Sequence, residues 1–217
     1  ITGAASTGNR IKGNYIGIAA DGSTNIPMSQ QDFGVYLGSA AASNTIGGTA
    51  AGEGNVISAN VSTGLFLASG PNTVTGNIIG PRDNGTLAIT GVRQDFGIYI
   101  TGASNIVGGN TAAARNIISA NDLYGVYISG SSASGNTVQG NFIGPAADSS
   151  SSLAGNQQYG VYINSASDNN TIGGYTASGT SKGNVIAFNT ANGVRVDDAG
   201  SDFNLISRNL IYSNGAA

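Results

Sequence analysis

Gly125 to Gly144 reads GVYISGSSASGNTVQGNFIG, three short apolar runs parted by small and polar residues. Val126 and Ile128 alternate with Tyr127, the pattern of a short strand that turns two side chains to one face. Asn136-Thr137-Val138 repeats that pattern, and Asn141-Phe142-Ile143 repeats it again. Between the three lie Gly, Ser and Asn, residues that tolerate positive φ and sharp corners. Three strands and three corners bring the chain back to where it started.

The remaining sequence is this turn written again. The first strand recurs as GVYL at Gly34, GLFL at Gly64, GIYI at Gly97, GVYI at Gly160 and GVRV at Gly193. The second recurs as NRI at Asn9, NTI at Asn44, NTV at Asn72, NIV at Asn105, NTI at Asn170 and NLI at Asn204. The third recurs as NYI at Asn14, NVI at Asn55 and Asn184, NII at Asn77 and Asn116, and NLI at Asn209. Their order never changes. This predicts an all-β, right-handed parallel β-helix of about seven coils, each with three short strands, the first coil partial. One domain over residues 1–217 is expected, about 30 Å tall.

Spacing adds a longer period. Gly34, Gly97 and Gly160 stand 63 residues apart, two coils at a time. Long loops leave the third strand at 18–33, 81–96 and 145–159, and another set separates second and third strands at 48–54, 109–115 and 174–183. A loop running out and back is about 10 Å thick, and two coils rise about 9.6 Å, so loops on alternate coils stack without collision.

Stacked coils place equivalent residues in columns. Val35, Leu65, Ile98, Val126, Val161 and Val194 are expected to point inward, with Leu37, Leu67, Ile100, Ile128, Ile163 and Val196 beside them. Ile46, Val74, Val107, Val138 and Ile172 fill a second wall; Ile57, Ile79, Ile118, Ile143 and Ile186 fill a third. β-Branched side chains suit such columns because each packs flat on its copies. Asn44, Asn72, Asn105, Asn136 and Asn170 form one polar column, and Asn55, Asn77, Asn116, Asn141 and Asn184 form another. An amide both donates and accepts, so stacked copies are expected to bond each other as structural ladders.

Composition narrows the function classes. With charged residues at 9% and a net charge of −3, the chain lacks the basic stripes that nucleic acid requires. No Cys and no His means no disulfide, no thiolate metal site and none of the commonest acid–base groups. No apolar run approaches the length of a membrane span. A Cys-free acidic chain rich in Asn, Gly, Ser and Thr suits an extracellular or cell-surface setting.

The repeated GVYI, NTI and NxI strands make the chain resemble the right-handed parallel β-helix repeat family, the superfamily of pectate lyases, polygalacturonases and phage tailspikes. It looks most like repeat tracts of large bacterial or archaeal surface and secreted proteins. The resemblance implies the fold, and it offers a place to look for chemistry. Enzymes of that superfamily work on the outer face of one wall, with paired carboxylates for hydrolysis, or acidic residues on Ca²⁺ with a basic residue for elimination.

Four features of the outer surface invite a reading. Tyr36, Phe66, Tyr99, Tyr127, Tyr162 and Arg195 form the outward column of the first wall, either a carbohydrate-binding face or a stabilising ladder. Asp32 and Asp95 stand in identical QDFG segments, as loop-closing turns or as contacts to sugar or Ca²⁺; no other metal or cofactor is implied. Asp197-Asp198 is the only adjacent acidic pair. The third wall turns out Tyr15, Val56, Ile78, Ile117, Phe142, Val185 and Leu210. Apolar residues of the long loops (Ile18, Ile26, Pro27, Met28, Phe33, Leu87, Ile89, Phe96, Leu153, Tyr159) are expected to fold back over that stripe.

The expected role is a non-enzymatic structural or adhesive module; a carbohydrate-binding or polysaccharide-degrading β-helix is the alternative. Expected partners are a glycan or cell-surface molecule, flanking β-helix coils, or a second copy stacked end to end, because neither end carries a polar cap. Ile1 falls in register with Ile100 and Ile128 as the last core residue of a first-wall strand.

Overall fold

The computed structural model describes residues 1–3, 6–26, 31–174 and 183–215. Within them the chain winds as a right-handed parallel β-helix with three walls. The first wall has six strands: Phe33–Leu37, Thr63–Leu67, Phe96–Ile100, Tyr124–Ser129, Tyr159–Asn164 and Val194–Val196. The second has seven, from Arg10–Ile11 through Thr45–Gly47, Thr73–Thr75, Ile106–Gly108, Thr137–Gln139 and Thr171–Gly173 to Leu205–Ser207. The third also has seven, from Tyr15–Ile16 through Val56–Ile57, Ile78–Ile79, Ile117–Ile118, Phe142–Ile143 and Val185–Ala187 to Leu210–Tyr212. Each strand pairs in parallel with its equivalents one coil away, and the register matches the columns read from sequence: Ile98, Val126 and Val161 are partners, as are Ile118 and Ile143.

The core is those columns. Leu37, Leu67, Ile100, Ile128 and Ile163 are fully buried in one cluster with Ile46, Val74, Val107, Val138 and Ile172 of the second wall and Ile57, Ile79, Ile118, Ile143 and Ile186 of the third. No coil can bury this surface alone; each needs its neighbours, as in any solenoid. Val196 keeps the register with Ile163 yet is 41% exposed, because no described strand packs on its far side. At the other end the Ile1 amine donates to Tyr36 O, and Gly38 N donates to Ile1 O, which sets Ile1 beside Leu37 in the expected column.

The corners have their own chemistry. Except at Pro71, residues before the first-ladder asparagines take left-handed φ: Gly8, Ser43, Ser104, Gly135, Asn169 and Phe203. Glycine, serine and asparagine reach that region at modest cost; phenylalanine does not. Phe203 holds φ 55° with its ring 84% exposed. Phe203→Gly is therefore expected to raise stability by about 0.5–1 kcal/mol, the left-handed strain of about 1–2 kcal/mol offset partly by glycine's larger unfolded-state entropy. A urea midpoint that falls in this variant would show that the ring makes contacts worth more than the strain.

The long loops fold back over the third wall in part. Ile18 and Ile89 bury against Val56 and Ala59, and Leu153 packs on Ala120 and Ala146. Tyr15 and Leu210 of the stripe stay exposed, and so do Ile26 and Leu87 of the loops, which were expected to cover it. Pro27 and Met28 lie outside the described residues, as does 175–182 of the loop read at 174–183. Three of the residues assigned to these loops do something else. Phe33, Phe96 and Tyr159 are strand residues of the first wall, and their rings stack there.

Candidate functional site

The outer face of the first wall carries two aromatic columns, not one. Tyr36, Phe66, Tyr99, Tyr127 and Tyr162 are in register, and beside them run Phe33, Phe96, Tyr124 and Tyr159, with Thr63 interrupting. Strict alternation backward from Tyr127 would turn Tyr124 inward. Gly125 resets the phase. A β-carbon there would lie 2.8 Å from Ile143 Cγ2 and 2.7 Å from the Gly160 carbonyl oxygen, so the backbone bends with an empty position aimed at the core. Tyr124 and Tyr127 thus emerge on the same side, 4.8 Å apart between centroids. The glycine opening every first-strand motif makes this second column possible.

The rings pack on one another along the helix axis. Tyr99 and Tyr127 lie 4.9 Å apart at 20°, Tyr124 and Tyr162 5.3 Å apart at 6°, and Phe66 and Tyr99 4.9 Å apart at 36°. Offset stacking of this kind is worth about 0.5–1.5 kcal/mol per pair beyond burial. Tyr127, read from sequence as facing solvent, is half-buried by Phe96, Tyr99, Tyr124 and Tyr162. Ring faces are therefore occupied by other rings, and the wall presents edges and hydroxyls to solvent. Burial raises the hydroxyl pKa of Tyr99 and Tyr124, with Tyr127 nearby adding to each, so these groups stay protonated donors.

Arg195 ends the stack. Its guanidinium carbon lies 5.4 Å from the Tyr162 centroid and 5.6 Å from that of Tyr159. Asp197 Oδ2 accepts from the Tyr162 hydroxyl at 2.8 Å and from Arg195 Nη2 at 2.5 Å. The Tyr162 hydroxyl, the Asp198 N–H and Arg195 together hold the Asp197 carboxyl below its ordinary pKa. Asp198 is lowered too, first by the Gly200 N–H. Both are carboxylates tied into local turns, the opposite of a raised-pKa general acid.

Asp32 and Asp95 take part in closing the loops, through the main chain. The Asp32 carbonyl accepts from Ser62 N and Thr63 N, and the Asp95 carbonyl accepts from Leu123 N and Tyr124 N. Burial raises the pKa of the Asp95 carboxyl, and the neighbouring Asp122 raises it further. Asp122 Oδ1 in turn lies 2.6 Å from Arg93 Nη2. Among the described residues no group of three or more His, Cys, Asp or Glu comes together as a metal site.

The asparagine columns are amide ladders. Asn116 Oδ1 accepts from Asn77 N at 2.9 Å and Asn77 Nδ2 at 3.0 Å, while Asn116 Nδ2 donates to Asn141 Oδ1 at 2.9 Å and to Val74 O at 2.9 Å. The same links join Asn44, Asn72, Asn105, Asn136 and Asn170. Asn55 bonds Asn77, and Asn141 bonds Asn184, in the same manner. A third ladder alternates residue types, so no single-residue column marks it in the sequence. Gln31 Nε2 donates to Asn60 Oδ1 at 3.0 Å, and Asn60 Nδ2 donates to Gln94 Oε1 at 2.9 Å. Further up, Asn189 Nδ2 donates to Asn214 Oδ1 at 2.7 Å. Gln31, Gln94 and Gln157 come from coils that enter the first wall after a long loop, and their even 63-residue spacing was the available signal.

Fold and surface together define a right-handed parallel β-helix stabilised by amide and aromatic ladders. No protein-family profile matches the chain, and no curated protein or solved structure matches it either.

Proposed function

We propose that this chain is a non-enzymatic structural or adhesive module of an extracellular or cell-surface protein, akin to the repeat tracts of large bacterial or archaeal surface proteins in the pectate-lyase-like superfamily. The observation that carries this reading is where the polar side chains go. The ladder asparagines, the stacked tyrosines and the Asp197–Arg195 pair bind their own neighbours in the helix, coil after coil. Even the loop carboxylates do so: Asp21 and Asp148 each accept two backbone N–H groups and a hydroxyl, which lowers both to about 2. An enzyme aims such groups at a substrate instead.

Incubation with pectin, alginate and related polyuronates, with and without Ca²⁺, is expected to yield no new reducing ends and no unsaturated products. Turnover that disappears in Asp95→Ala or Asp197→Ala would overturn the proposal.

The row of tyrosine hydroxyls favours a second reading, glycan binding along the first wall. Hydroxyls on Tyr99, Tyr124 and Tyr127 project from rings whose faces are covered, so recognition would rest on hydrogen bonds and not on stacking of sugar rings.

A further inference from the structure

The loops leaving the third wall repeat one plan. Each opens with an isolated antiparallel bridge: Ile18 with Asn25, Pro81 with Ala88, Pro145 with Ser152. Each also bonds the next, Asp83 N donating to Gly22 O and Ala147 N to Gly85 O, both at 2.9 Å. Between the second and third loops this stacking leaves a cleft of about 400 Å³, lined among others by Arg82, Leu87, Ile89, Arg93, Leu153 and Gly155.

One of these residues breaks the repeat. Counted from the bridge, Arg82 occupies the place held by Ala19 and Ala146 in the other loops. Alanine in both other loops shows that the turn itself does not require arginine there. Arg93 is tied down: Nη1 donates to Gly155 O at 2.6 Å, and Nη2 faces Asp122 Oδ1. Arg82 is not. Its guanidinium has no hydrogen bond or ion pair among the described residues, and its Nε is shielded from solvent. A shielded Nε without an acceptor leaves donor capacity unused, and the planar fork matches a carboxylate.

We propose that this cleft binds a small monocarboxylate with an apolar tail, the carboxylate on Arg82 and the tail along Leu87, Ile89 and Leu153. The volume falls within the range of small-molecule sites. One positive charge remains after Asp122 neutralises Arg93, which suits a monoanion better than a phosphate dianion. The apolar lining supplies what the single ion pair lacks.

Octanoate titrated into the isotopically labelled chain is the test, followed by amide chemical shifts. Saturable shifts are expected at Leu87, Ile89, Leu153 and Gly155 in the millimolar range. The neutral analogue octanamide, and octanoate added to Arg82→Ala, are each expected to bind at least about tenfold more weakly. Arg82→Ala should fold as the parent does, because alanine holds that place in both other loops. Absent shifts at these amides, equal binding of octanamide, or unchanged binding in Arg82→Ala would each overturn the proposal.

Discussion

Asn116→Asp is expected to lower stability by about 3–5 kcal/mol at neutral pH, the usual penalty for a buried charge with no partner. The side chain keeps its shape and remains fully buried, but one end changes from donor to acceptor. Val74 O and Asn141 Oδ1, which now accept from Asn116 Nδ2, would face a carboxylate oxygen. The dependence on pH identifies the cause. Burial raises the folded-state pKa of a carboxyl, so the penalty is full above that value and disappears as pH falls below the unfolded one. The variant should therefore approach the parent's stability in acid when both are measured side by side. A loss that is the same at every pH would point to steric disruption of the ladder instead. Asn116→Ala should cost about 2–4 kcal/mol at all pH values, by leaving the buried Asn77 N–H without its acceptor and the Val74 carbonyl without the Asn116 donor.

Ile118→Ala is expected to cost about 2–5 kcal/mol. Ile118 is fully buried between Ile79 and Ile143, in a column held on both sides by strand pairing that limits collapse of the cavity. Tyr127→Ala should cost about 1–2 kcal/mol, since its ring loses stacking partners but opens to solvent and leaves no closed void. Urea midpoints for the two variants decide the matter. Equal losses would mean that the aromatic face contributes as much to stability as the core.

The fold could be read from residues because a solenoid repeats its local instructions. Val126, Tyr127 and Ile128 specify a strand with one apolar face, and six other coils restate parts of the same pattern. Register follows, since a one-residue slip would turn every column inside out. Asparagine identity at the first two corners likewise announced its own ladders. Gln31 and Asn60 did not, because their shared role depends on amides of different length reaching one position from different loops. The second aromatic column was hidden for a related reason. Its residues stand beyond a glycine bend, and simple alternation assigns Tyr124 to the core.

Whatever depends on a residue and its copies one coil away is legible in the chain alone: strand order, register, the inward columns and two amide ladders. Neighbours within a coil and its loops were decided only by tertiary structure. Tyr124 packs beside Tyr127 across the glycine bend, and the packing of one loop on the next sets Arg82 beside an apolar cleft. Column contacts arise from a fixed rise of about 4.8 Å and so are implicit in the period. Contacts between loops have no such period, because irregular backbone leaves side-chain direction to whatever packs around it.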